Sequence, residues 1–259
     1  MSRIESKLPR QVKAAGRRIA KLLDGVHNGV KSPVTTFHAS HYTRINQRRL
    51  EHLASLRLPI AGASVLELAA GIGDLTGFFA DRGCAVVSTE GRPENLAVLR
   101  QRYPSLEVRL LDLDNPVHLG RSFDIVFCYG ALYHLSRPSE AIDFMAECCR
   151  HMLLLDTCVS LGQEPLLNPI TEPSEDPSQS ITGQGCRPTR SWVYQRLKRL
   201  FPYVYIPRTQ PCHEDYVLDW TVPPAPSVPY TRAVFIASRQ PLDNPLLADE
   251  FLQRHVPPG

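Results

Sequence analysis

The chain lacks the features that mark several common classes of protein. No apolar run approaches the roughly 20 residues that a membrane helix needs, which argues against a helical membrane protein. The N-terminus is basic but has no apolar segment behind it, so it does not read as a secretory signal. The seven cysteines are odd in number and none stands in a Cys-x-x-Cys pair. That pattern predicts a reduced, cytoplasmic protein with buried thiols rather than a disulfide scaffold. No ligand spacing repeats, so no metal site is expected. Neither sign of charge dominates. The net charge of +3 is too small to point to nucleic acid on its own.

What is present divides into three parts. Residues 1–60 are Arg/Lys-rich and helical in pattern. "RQVKAAGRRIAKLLDGV" places Val12, Ala15, Ile19, Leu22 and Leu23 on one face with cations opposite. It reads as a surface helix laid on the core, with a basic binding arm as the alternative. "RINQRRLEHLASLRL" repeats Ile45, Leu50, Leu53 and Leu56 at helical spacing and stops before Pro59.

In residues 61–240 strand-like and helix-like segments alternate. "SVLEL", "CAVVSTE", "LEVRLL", "FDIVFCYG" and "LLLDTCV" read as strands. "DLTGFFADRG", closed by Gly83, "RPENLAVLRQRY", with Pro93 in its first turn, and "SEAIDFMAECCRHM" read as the helices between them. This is the pattern of an α/β protein: a parallel sheet covered by helices. Right-handed crossovers then bring every strand's C-terminal end to one edge, where ligands bind. The stretch 161–188 is Pro-rich and irregular, the length of a lid or binding loop. "TRSWVYQRLKRLF" is a further helix capped by Thr189, and "YVYIP" and "RAVFIASR" are two more strands. Residues 241–259 read as a loosely attached tail.

The chemistry gathers at strand ends. Gly71 and Gly73 sit in the turn after the first strand, where a backbone without Cβ atoms can approach a ligand closely. Glu90 ends the second strand, 19 positions after Gly71, where a carboxylate can accept from both hydroxyls of a ribose. Asp112 follows the third strand and is placed to accept from an adenine amino group. Together they point to an adenosine-containing ligand. A dinucleotide would favour a third glycine, but Thr76 stands at that position, and Asp74 would repel phosphate. A cationic sulfonium carries no phosphate and tolerates both Asp74 and Glu67.

The arrangement resembles the class I S-adenosylmethionine-dependent methyltransferases. The resemblance rests on "ELAAGIGD" for the glycine motif, "TEGR" for the ribose acid, "LDLDNP" for the adenine segment and "FDIVFCYGALYHL" for the fourth-strand motif. It implies a Rossmann-like, seven-stranded, mostly parallel sheet with helices on both faces over residues 61–240. It also implies a helical extension, residues 1–60, folded over the cofactor. The cofactor implied is S-adenosylmethionine. The implied contacts are Glu67, Ala69, Ala70, Gly71, Gly73, Glu90, Gly91, Arg92, Asp112, Leu113, Tyr129 and Gly130, with Arg44 on the methionine carboxylate. "CYGALYHLSRPSEA", "LLLDTCV" and "RPTRSWVYQRLKRLFPYVYI" are, more narrowly, similar to the catalytic half of the tRNA wobble-uridine carboxymethyltransferases.

Methyl transfer is an in-line displacement, in which the protein aligns a nucleophile and excludes water. The residues after the fourth strand face the methyl group, and His134 is the candidate base for a hydroxyl acceptor, with Tyr133 lining the pocket. A packed turn is the plainer alternative for both. The absence of a (D/N/S)PP(Y/F/W) tetrapeptide argues against amino methylation of DNA bases. The absence of acids there argues against a magnesium-assisted catechol type. Asp156, Arg187, Arg190, Trp192, His213 and Trp220 are candidates to wall an acceptor site. The expected partner is a small-molecule or glycan-like acceptor. An RNA-modifying enzyme and a noncatalytic cofactor-binding protein are the alternatives.

Overall fold

A computed structural model describes residues 32–222 and 230–257. The basic helix expected near residues 10–26 lies outside the described residues. Helix α1 (Pro33–Phe37) opens the structure, with the Ser32 hydroxyl accepting from the Thr35 amide as its cap. Helix α2 (Ser40–Ser55) follows and ends before Pro59, as the apolar spacing predicts. Then come β1 (Ser64–Glu67), α3 (Gly77–Ala80), β2 (Ala85–Glu90), α4 (Pro93–Arg102), β3 (Glu107–Leu110), β4 (Phe123–Tyr129), a single 3₁₀ turn (Leu132–His134), α5 (Pro138–Cys148) and β5 (Cys149–Ser160). The C-terminal part carries β6 (Pro169–Thr171), β7 (Gln184–Cys186), α6 (Arg190–Leu200), β8 (Tyr203–Pro207), β9 (Tyr230–Ser238) and β10 (Leu247–Ala248).

One sheet holds eight of these strands, in the order β10-β8-β9-β5-β4-β1-β2-β3. Strands β3, β2, β1, β4 and β5 run parallel, and β9 is antiparallel to both β5 and β8. The chain leaves β1 in one direction for β2 and β3, and returns to its other side for β4 and β5. The C-terminal ends of β1 and β4 therefore flank the point where strand order reverses, which opens a crevice for a ligand.

Three expectations need correction. The sheet has eight strands rather than seven, because Leu247 and Ala248 add an antiparallel edge strand to β8. The tail is accordingly not loose: both residues are buried, and the Val256 amide donates to the Arg208 carbonyl at 2.7 Å. Within the expected helix "DLTGFFADRG", only Gly77–Ala80 is α-helical. Gly73 takes a φ of +86° just before it, and the Thr76 hydroxyl turns inward to Glu67 rather than capping the helix.

The central strands β1, β2, β4 and β5 are buried almost throughout, and their side chains, pointing alternately to the two faces, feed a separate apolar cluster on each side of the sheet. On one, Leu66, Val126, Leu153 and Phe235 pack with Ile142 and Met145 of α5 and with Val193 and Leu197 of α6. On the other, Val65, Ile125, Phe127 and Leu154 pack with Ile45 and Leu53 of α2 and with Phe79. Each fully buried side chain of this kind stabilises the fold by about 1.5–3 kcal/mol. The Thr189 hydroxyl accepts from the Trp192 amide and caps α6. All seven cysteines are unpaired. Among the described residues, no helix is long and apolar enough to cross a membrane.

Candidate active site

Two adjoining cavities open at the crevice between β1 and β4. The first is lined by Ala69, Gly71, Glu90, Gly91, Arg92, Asn95, Asp112 and Leu113, and is covered by Phe37 and by residues 177–181. The second is lined by Glu67, Ala70, Asp74, Tyr129, Tyr133, Tyr42, Asn46, Arg49 and Arg232. Gly71, Gly130 and His134 border both. The first encloses about 620 Å³ of empty space, its open mouth included.

The first cavity is organised around Glu90. One carboxylate oxygen accepts from the Gly71 amide at 2.9 Å, and the other from the Arg92 amide at 2.9 Å and the Asn95 side chain at 3.3 Å. Burial raises the Glu90 pKa above the ordinary carboxylate value, and these hydrogen bonds oppose the rise. They fix the carboxylate at the end of β2 and tie it to the glycine turn. Gly71 has a φ of +59°, and a Cβ there would stand 3.1 Å from the Phe37 ring. Asp112 also lines this cavity and accepts from the Asp114 amide at 2.9 Å.

Glu67 closes the floor of the second cavity. The hydroxyls of Thr76 and Ser88 each donate to its carboxylate at 2.6 Å. No cation stands against it among the described residues, and burial pushes its pKa up to about 7. Opposite lies a charged network about Asp156. Arg49 donates to Asp156 at 2.7 Å, the Tyr216 hydroxyl donates at 2.5 Å, and Arg232 at 3.4 Å. Arg232 also donates to the Tyr133 hydroxyl at 3.0 Å. Burial disfavours the Arg49 charge, but Asp156 holds its pKa above the ordinary value.

His134 sits in the turn after β4. Its Nδ1 lies 2.5 Å from a carboxylate oxygen of Glu172. Glu172 follows directly after β6, and its other oxygen accepts from Arg187 at 3.1 Å. Burial lowers the His134 pKa below the ordinary imidazole value, although Glu172 works in the opposite direction. Burial thus favours the neutral ring, the form a proton acceptor needs.

The structure does not bring every predicted residue to the site. Arg44 lines neither cavity; it is exposed and ion-paired with Glu214. Arg49 points inward instead. Five positions apart, the two lie roughly 140° from each other around the helix. Gly73 lines neither cavity either: a Cβ there would meet Leu99 at 2.5 Å and Tyr103 at 2.7 Å, so its role is packing. Arg92 borders the first cavity, but its guanidinium donates to the carbonyls of Ser174, Gln179 and Ser180, which secures the covering loop. Arg49, Asn46, Arg232 and Glu172 were not foreseen. For Arg49 a signal existed, because it interrupts the apolar stripe Ile45–Arg49–Leu53 at i, i+4 and i+8. Glu172 carries no such mark in its irregular loop.

Residues 65–153 match the family model described as a methyltransferase domain. No curated protein matches the chain by sequence. Among solved structures, the N-terminal domain of EvdMO1 with S-adenosylhomocysteine (SAH) bound is similar, with a TM-score of 0.63 and 18% identity over 88% of this chain and 97% of that one. A crystal structure of EvdMO1 is similar with a TM-score of 0.53 and 21% identity over 87% of this chain, which spans about half (47%) of that chain. An S-adenosylmethionine-dependent methyltransferase from Mesorhizobium loti is similar with a TM-score of 0.54 and 15% identity over 74% of this chain and 98% of that one. At such identities the likeness establishes the fold. The chain thus carries a segment that matches a methyltransferase domain, set in the fold that these structures share.

Proposed function

We propose that this protein transfers a methyl group from S-adenosylmethionine to a hydroxyl of a small, sugar-like acceptor, with His134 as the general base. The residues present suit the cofactor. Glu90 and Asp112 are carboxylate acceptors lining the first cavity, matching ribose hydroxyls and an adenine amino group. Glu67 and Asp74 give the second cavity an anionic side that favours a sulfonium and an ammonium. Arg49 and Arg232 line the same cavity as cations that can attract a carboxylate. When bound, the cofactor supplies a methyl group on a cationic sulfur.

The observation that carries the hydroxyl reading is the His134–Glu172 contact beside both cavities. Hydroxyls are weak nucleophiles, and a base at the attacking oxygen assists them. Tyr42, Asn46, Tyr133 and Arg232 give the second cavity a hydrogen-bonding wall of the kind a polyhydroxylated acceptor needs. The N-terminal domain of EvdMO1 has also been crystallised in the presence of SAH and D-fucose, which supports a sugar-like acceptor here.

The test is methyl transfer from radiolabelled S-adenosylmethionine to a panel of free sugars that includes D-fucose. Turnover is expected in the wild type. His134→Ala is expected to lower it about 10²- to 10⁴-fold, with cofactor affinity within about twofold. Glu90→Ala is expected to weaken cofactor binding by about 1.5–3 kcal/mol in calorimetry. Undiminished turnover in His134→Ala rejects the base, and unchanged affinity in Glu90→Ala rejects the ribose site.

A further inference from the structure

The covering segment does more than close the crevice. Strands β6 and β7 pair in register from Pro169–Cys186 to Thr171–Gln184, and Glu172 follows immediately after β6. Its amide donates to the Gly183 carbonyl at 3.0 Å, which continues the hairpin by one further link. Its side chain then turns into the site, 3% exposed. It is fully engaged there. One oxygen contacts His134 Nδ1 at 2.5 Å and accepts from the Ser180 amide at 2.9 Å; the other accepts twice from Arg187 at 3.1 Å. Arg187 also donates to the Tyr133 carbonyl at 3.2 Å, so the base of the hairpin is tied to the turn that carries His134.

The fit between hairpin and turn is close. A Cβ on Gly185 of β7 would lie 2.8 Å from the Tyr133 carbonyl oxygen and 3.1 Å from the Glu172 carboxyl carbon. The loop between the strands is held from the other side. Arg92 and Asn95 donate to the carbonyls of Ser174, Pro177, Gln179 and Ser180, and Tyr42 donates to the Ser178 hydroxyl at 2.9 Å. The groups that bind the covering loop therefore neighbour Glu90.

An ionised carboxylate can only accept a hydrogen bond. Burial opposes ionisation of Glu172, but hydrogen bonds from His134 and the Ser180 amide, with the Arg187 charge, hold its pKa below the ordinary carboxylate value. A carboxylate this close to Nδ1 requires the proton on Nδ1 and leaves the lone pair on Nε2. Nε2 makes no hydrogen bond to any described residue, and the ring borders both cavities.

We infer that Glu172 is the positioning residue of His134, delivered by the β6–β7 hairpin, so that a competent base exists only while that hairpin is docked. The inference rests on His134 being the base. As the acceptor oxygen attacks, its proton passes to the Nε2 lone pair, and the resulting imidazolium sits against the Glu172 carboxylate. The proton then leaves to solvent and the neutral Nδ1–H form is restored. The charged and titratable groups facing the ring are Glu172 beside β6, Arg187 after β7, Arg232 on β9 and the Tyr133 ring, whose centroid is 3.9 Å from that of His134. Of these only Glu172 is an acid, so its removal has a definite sign.

The test uses the full chain with SAH bound and needs no acceptor. Nitrogen-15 spectroscopy of the histidine rings reads both tautomer and pKa. The wild type is expected to hold His134 in the Nδ1–H form. Glu172→Ala is expected to release it toward the Nε2–H form, and the isosteric Glu172→Gln to lower its pKa by at least about half a unit through loss of the adjacent negative charge. Gly185→Ala is expected to release the tautomer as Glu172→Ala does, without altering either side chain. With any acceptor that turns over, Glu172→Gln is expected to lower kcat at least about tenfold, with the SAH affinity unchanged. Unfolding of Glu172→Ala would leave the isosteric variant to decide. A wild-type tautomer and pKa for His134 in both Glu172 variants overturns the inference. Loss of activity in His134→Ala alongside wild-type Glu172→Gln turnover does so too. Full activity in His134→Ala instead rejects the base itself.

Discussion

The Glu67 carboxyl offers a pH test of the cofactor site. Its two neighbours at hydrogen-bond distance are neutral hydroxyls, and burial places its pKa at about 7. Asp74 pushes in the same direction. In the empty protein Glu67 is therefore largely protonated below neutrality. A bound sulfonium and ammonium favour the ionised form, so binding expels a proton. With a free-protein value of about 7, the competent carboxylate is about one tenth of the population near pH 6 and about nine tenths near pH 8. Affinity should rise about tenfold across that interval, about 1.4 kcal/mol, and level off above it. Calorimetry near both pH values, in buffers of different ionisation enthalpy, reads the affinity and the proton count together. The cofactor's own amino group also titrates near pH 8, and Glu67→Gln separates the two, because that variant keeps the amino group and loses the carboxyl. The reasoning fails if wild type and Glu67→Gln share the same pH slope, or if the wild-type heat is independent of buffer. The same shift bears on stability. A carboxyl raised in the folded state binds more protons than its unfolded counterpart between about 4.5 and 7, so folding stability falls as pH rises through that window.

Two further predictions follow from packing. Gly73→Ala should cost about 2–4 kcal/mol in denaturant unfolding, because its Cβ would enter Leu99 and Tyr103 and its φ of +86° disfavours a side chain; a loss under about 0.5 kcal/mol would show that the turn yields. Asp156→Asn should cost about 3–5 kcal/mol in thermal or denaturant melts, because Arg49 would keep a buried charge without its carboxylate. A melt equal to wild type would mean the guanidinium finds another partner.

Much of the fold is local and was readable. Apolar runs bounded by glycine and proline mark β1 to β5, and their alternation with helical segments implies parallel pairing with a shared C-terminal edge. Glu90 was legible because a strand-end carboxylate after a glycine turn has few structural uses, and Thr189 because capping depends on residues three apart. The errors fall where local rules compete. "DLTGFFADRG" has helical periodicity, yet the inward hydrogen bond of Thr76 and the left-handed glycine before it leave one α-helical turn. Arg44 and Arg49 differ only by the face they occupy, and both are plain cations in sequence.

By itself the chain's sequence determined the order of strands and helices along the chain, the sheet edge at which the cavities open and the acid that ends β2 beside them, since each depends on residues within one βα unit or two adjoining ones. The tertiary structure alone decided which arginine turns inward, that Asp156 joins Arg49 to Arg232, and that a glutamate from an irregular loop reaches His134. Those partners lie 107, 76 and 38 positions apart. Such contacts arise from sheet order and from how the covering hairpin docks, and periodicity of three or four residues carries no record of either.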